Sequence, residues 1–133
     1  MVPVNKLLTT GRIITIPHSI ALSYLNALAD DEYLVFRQHR KTLRIETLGY
    51  LYLALQYLQR SKSFWKPYLD TLPRPDESHT TPLWIDDPPD ELWLADTDAL
   101  YTMKQRRAIY GEQYAKGISI LRNAGIDVEG LTW

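Results

Sequence analysis

The sequence predicts a mainly α-helical domain with a short β element near its N-terminus, and three observations carry that expectation. Leu48, Leu51, Leu55 and Leu58 recur at helical spacing within the segment from about Thr42 to Arg60. A second periodic run, with Leu100, Met103, Tyr110, Tyr114, Ile118 and Leu121 as its stripe, has N-cap chemistry at Asp96-Thr97-Asp98. Gly125 stands just past its end, after about Ala124, where a left-handed residue stops a helix. Gly11 to Pro17 is β-branched, opens on glycine and closes on a proline that cannot donate to a strand ladder.

The remaining elements follow in order. A helix is expected from about Ser19 to Leu28, with Ile20, Tyr24, Ala27 and Leu28 on one face, ended by Asp30-Asp31. Tyr33 to Gln38 reads as another turn or two. In the 42–60 helix Tyr50, Tyr52, Leu53, Ala54 and Tyr57 fill the faces that the leucines leave, so it is expected to be buried all round. The rest of the chain offers few elements to surround such a helix, which points to partners or further segments. Phe64 to Leu69 should form one or two helical turns entered through Pro67. The stretch from Pro73 to Pro89 holds five of the eight prolines and should lack regular structure. Asp90 to Ala95 reads as a short helical turn. No internal repeat or low-complexity segment is visible.

Composition narrows the function. A chain of 133 residues fits one domain and can bury roughly two-thirds of its unfolded surface. An apolar fraction of 45% argues against disorder throughout, and a net charge of -1 against a nucleic-acid binder. There is no cysteine, which excludes disulfides, thiolate zinc sites and a cysteine nucleophile. Met1 to Thr10 lacks the apolar run of a signal peptide, and Leu48 to Leu58 is shorter than the roughly 20 residues a bilayer requires. The expectation is a cytosolic or nuclear protein with no membrane partner.

Catalytic chemistry is hardly legible. His18, His39 and His79 are scattered, without metal-ligand spacing, and read as surface or loop histidines. No nucleophile elbow, Gly-x-Gly-x-x-Gly turn or Walker loop occurs. No catalytic, cofactor-binding or metal-binding residue is therefore assigned. Charge says more. Pro75 to Met103 contains no Lys or Arg but holds Asp76, Glu77, Asp86, Asp87, Asp90, Glu91, Asp96 and Asp98, half of the 16 acids. Such a stretch can attract a basic peptide, although a solvated loop with acids at a helix N-terminus is the favoured reading. Arg37, His39, Arg40, Lys41 and Arg44 read as a solvated helix face. Trp65, Tyr68, Trp84 and Trp93 cluster in sequence and read as anchors for the proline-rich loop in preference to a ligand cage.

These aromatic residues carry a resemblance. Ser63-Phe64-Trp65-Lys66-Pro67-Tyr68-Leu69-Asp70-Thr71-Leu72-Pro73, followed by Pro82-Leu83-Trp84, Leu92-x-Leu94 and a tyrosine-containing helix, resembles the inserted helical region of SET-domain protein methyltransferases. The subgroup includes the Rubisco large-subunit lysine methyltransferases and the ribosomal-protein lysine and actin histidine methyltransferases. Gly11 to Leu22, with its Gly-x-x-x-x-Ile-Pro-x-Ser pattern, is similar to the end of that family's N-terminal SET segment. The resemblance implies one partial SET domain over 1–133. Residues 11–22 would close the N-terminal SET segment, and 23–133 would form the helical insert, with a proline-rich acidic loop at about 73–91.

The family transfers a methyl group from S-adenosylmethionine to a side-chain nitrogen, usually of lysine, a reaction governed by positioning and desolvation. It uses a Gly-x-Gly turn, an Asn-His segment and a C-terminal tyrosine, and no residue here matches any of them. The resemblance thus implies a fragment or degenerate member without the complete SET β core, inactive alone and contributing a substrate-cleft wall. S-Adenosylmethionine is its cofactor by resemblance only, and this chain is not expected to bind it. A basic protein substrate or a protein partner is the implied contact. The alternative is a free-standing helical protein-interaction module.

Overall fold

The computed structural model describes residues 15–73 and 94–132, and within them the protein is mainly helical, with no strand. The described residues include five α-helices: α1 (Tyr24–Ala29), α2 (Leu34–Gln38), α3 (Ile45–Gln59), α4 (Lys66–Leu69) and α5 (Asp98–Asn123). Single 3-10 turns precede α1, at His18–Ile20, and follow α3, at Arg60–Lys62. The expected β element falls mostly outside the described residues, as do most of the proline-rich segment and most of the turn expected at Asp90–Ala95. No described helix is long and apolar enough to cross a membrane.

The helix expected from Ser19 to Leu28 is split. His18–Ile20 closes as a 3-10 turn, and Ser23 at φ -152° and ψ 171° is extended, so α1 begins only at Tyr24. The Ser23 hydroxyl donates to Asn26 Oδ1 at 2.7 Å, and the Asn26 amide donates to the His18 carbonyl at 3.1 Å, which ties the turn to the helix. Side-chain bonding of this kind competes with helix continuation. Arg37 reaches back to the far end of α1. Its Nε donates to the Leu28 carbonyl at 2.9 Å and its guanidinium also meets Ala29 O and Asp31. A cation at the carbonyl end of a helix satisfies orphan acceptors and suits the dipole.

The central element α3 starts three residues later than expected, because Thr42 and Leu43 donate to the His39 carbonyl and close a turn. Leu48, Leu51, Tyr52 and Leu55 are buried, and they join Ala27, Phe36, Ile118 and Leu121 in one core. The expectation that this helix is buried all round is corrected here. Ile45, Tyr50 and Leu58 are 53%, 58% and 44% exposed, and Leu53 and Tyr57 are half-buried. The short helices α1 and α2 and the single long helix α5 cover one side of α3 and leave much of the other to solvent.

The long helix α5 begins and ends as its sequence requires. Thr97 Oγ1 accepts from the Leu100 amide at 3.3 Å and donates to the Leu94 carbonyl at 2.6 Å. At the other end Gly125, at φ 76°, reverses the chain. Its N–H meets Arg122 O while Ile126 N–H meets Leu121 O, the paired bonds of a Schellman stop. Asp96 just before the N-cap is also left-handed, at φ 59°, a conformation that Asp tolerates better than most residues.

Helices α3 and α5 run in the same direction. Thr47 meets Gln113 and Leu51 meets Gly117. The Gln113 side chain also accepts from the Arg44 amide at 3.1 Å, which caps the start of α3. Gly117 makes the approach possible, since a Cβ there would lie 2.4 Å from Leu51 Cδ1. Overpacking usually costs about 1–3 kcal/mol, against which better helix propensity returns about 1 kcal/mol. Gly117→Ala is therefore expected to lower stability by about 1 kcal/mol in chemical denaturation, with the loss relieved when Leu51 is shortened to Val. Thr97→Ala should cost about 1 kcal/mol, read in the same way.

Candidate functional site

One concave feature among the described residues combines apolar lining with polar groups. It is a half-open groove of about 330 Å³ between the start of α1, the N-terminal half of α3 and α4. Leu22, Ile45, Gly49 and Leu53 supply its apolar lining, and Ser23, Tyr24, Tyr50, Tyr68 and Glu46 its polar groups. The volume lies at the lower end of the range for small-ligand sites. Tyr50 and Tyr68 are 58% and 51% exposed. Glu46 and Tyr50 stand four apart on α3, so they face the same side. Glu46 makes no hydrogen bond or ion pair among the described residues. A Cβ added at Gly49 would sit 3.7 Å from the Tyr24 backbone, an ordinary contact, so α1 packs on α3 there without requiring a glycine.

An aromatic cluster around Tyr52 joins the elements that border the groove. Tyr52 meets Tyr33, Phe36 and Trp65 edge-on, with ring centroids 6.0, 6.1 and 5.7 Å away. Edge-to-face pairs at such distances contribute beyond their buried area. The Tyr52 hydroxyl donates to Asp30 Oδ2 at 2.8 Å, and Gln59 donates to Tyr33 Oη at 2.7 Å. Trp65 Nε1 donates to the Ile20 carbonyl at 3.2 Å, which fixes the chain entering the groove. Behind it, Ser63 donates to Gln56 Oε1 at 2.7 Å, a bond between two buried side chains. No buried side-chain polar atom among the described residues lacks a partner.

The residues singled out in the sequence fare unevenly. Trp65 packs on the core, whereas Tyr68, three residues on, opens to solvent on the groove. Trp84 and Trp93 lie outside the described residues, as does His79. His18 is exposed and His39 half-buried, and no cluster of metal-ligand type occurs among the described residues. Of the acidic stretch, Asp96 shapes the turn before α5 and Asp98 occupies its first turn, where the helix dipole favours an anion. The basic cluster is not a helix face. Arg37 stands on α2 and braces α1, while Arg40 and Lys41 lie in the turn before α3.

With the geometry in hand, comparison adds nothing to it: no known protein family, curated protein or solved structure matches the chain. The groove was not foreseen because its three tyrosines come from three separate elements. The spacing of Glu46 and Tyr50 was the one local signal available.

Burial, reinforced by the hydrogen bond to Asp30, pushes the Tyr52 phenol well above the usual tyrosine range. Its folded value exceeds its unfolded one, so the folded state holds the proton longer. The corresponding stability is complete below the ordinary phenol value near 10 and is lost as pH rises beyond it. Urea melts taken from pH 8 to 11 should therefore show falling stability above about pH 10, and Tyr52→Phe should flatten that fall.

Proposed function

We propose that the chain is the helical insert of a SET-domain protein methyltransferase, inactive by itself, which forms a wall of the substrate cleft. The observation that supports this reading best is the apolar surface left exposed on α3 and on the motif string. Ile45, Tyr50 and Leu58 of α3 are open to solvent, as are Phe64 and Tyr68 of the Phe64-Trp65-Lys66-Pro67-Tyr68-Leu69 string that carries the family resemblance. Exposed apolar faces of this kind usually mark a surface that another structure covers. In this reading a SET β core packs on α3, and the acidic stretch of the sequence faces a basic protein substrate.

The family's cofactor is S-adenosylmethionine, and the described residues offer it little. The groove holds one carboxylate and no Gly-rich backbone turn to approach a nucleoside. What this chain supplies is shape: it orients a substrate and excludes water beside a reaction governed by approach geometry.

A second reading, a stand-alone helical interaction module, draws on a different observation. The core joining α1, α2, α3 and α5 is closed and its buried polar side chains are satisfied, as in a piece that folds alone. Gel filtration separates the two. A discrete, stable species supports the module, and aggregation through the open face supports the insert.

Titration of the chain with S-adenosylmethionine tests the main proposal directly. In a sample shown by circular dichroism to be folded, no heat of binding is expected. Micromolar binding would overturn it, because the cofactor site would then be built from these residues.

A further inference from the structure

We infer that the groove between α1, α3 and α4 binds a quaternary ammonium group, namely the trimethylated lysine side chain of a basic peptide. The inference stands on the composition of the groove and goes with the stand-alone module, since a SET core packed over Ile45 and Tyr50 would close the groove.

Three tyrosines line one groove, each from a different helix: Tyr24 from α1, Tyr50 from α3 and Tyr68 from α4. The face of a phenol ring carries negative electrostatic potential, and several rings around one space form a receptor for a cation. Glu46 adds a full negative charge to the same lining, and no Lys, Arg or His lines the groove. Lys66, near Tyr68 in sequence, is occupied by an ion pair with Asp70. The groove thus combines one negative charge with apolar and aromatic lining, which suits a cation carried on a hydrocarbon stem.

Methylation is what the apolar lining and the hydrogen-bond inventory select. An unmodified lysine ammonium is strongly hydrated and brings three N–H donors that need acceptors when it leaves water. Against that hydration the groove offers one carboxylate, Glu46, and the neutral, weaker hydroxyl acceptors of Ser23 and the tyrosines. A trimethylammonium has no N–H to satisfy, and its methyl groups bury well against Ile45, Leu53 and the rings. Basic residues flanking the trimethyllysine would meet the unpaired Glu46 from outside.

The test uses three versions of one basic peptide, carrying trimethyllysine, unmodified lysine or the uncharged tert-butyl isostere of trimethyllysine, titrated calorimetrically into the full chain. The trimethyllysine peptide is expected to bind about tenfold tighter than either of the others. Tyr68→Leu and Glu46→Gln, at exposed positions, should each weaken it about three- to tenfold with an unchanged melting temperature, and Tyr50→Leu should weaken it by as much while also losing the edge contact with Tyr110. Equal binding of the tert-butyl peptide would overturn the proposal, since the groove would then read apolar shape alone. Equal or tighter binding of unmodified lysine, binding that survives all three substitutions, or no binding would overturn it as well.

Discussion

Tyr52 is where the fold is joined. Its ring is almost fully buried among Tyr33, Phe36 and Trp65, and its hydroxyl ends on Asp30, the residue that follows α1. One side chain of α3 therefore holds α1, α2 and the segment leading into α4 at once. Packing alone would leave these short helices marginal, because elements of four to six residues cannot stabilise themselves. A directional hydrogen bond within an apolar cluster gives them a single arrangement. The groove in front of α3 inherits its shape from that arrangement.

The opposite face of α3 follows different rules. There Gly117 removes a side chain so that Leu51 can lie against the α5 backbone. The helix is thus gripped tightly along one line and left open along another. Tyr50 and Tyr68 remain at the open border, where a ring can rest on apolar surface while its hydroxyl stays in water. A helix that is apolar on every side can accordingly exist in a small chain without being fully enclosed.

Much of the helical architecture was legible in the sequence, and the failures have physical causes. The ends of α5 were readable because Thr97 and Gly125 act through local backbone chemistry. The start of α1 was misread because Ile20 and Tyr24 keep helical spacing across a break at Ser23, where a side-chain bond to Asn26 replaces a helical one. Arg37 looked like a surface cation, since the carbonyls it satisfies belong to the preceding helix. The groove stayed hidden for a similar reason: periodicity within one helix does not reveal a site assembled from three.

The parallel course of α3 and α5 has a consequence for the chain that connects them. Consecutive antiparallel helices share a short turn, but parallel ones require the chain to travel back at least the length of α3, about 20 Å. The connection across 60–97 carries that return, and doubling the length of such a connection costs only about 0.6 kcal/mol in closure entropy. Register between the two helices is set by Leu51 against Gly117 and by Gln113 against the start of α3, not by the tether. The alignment of α3 with α5 is therefore a property of the two helix surfaces, and a longer or shorter connection would leave it in place.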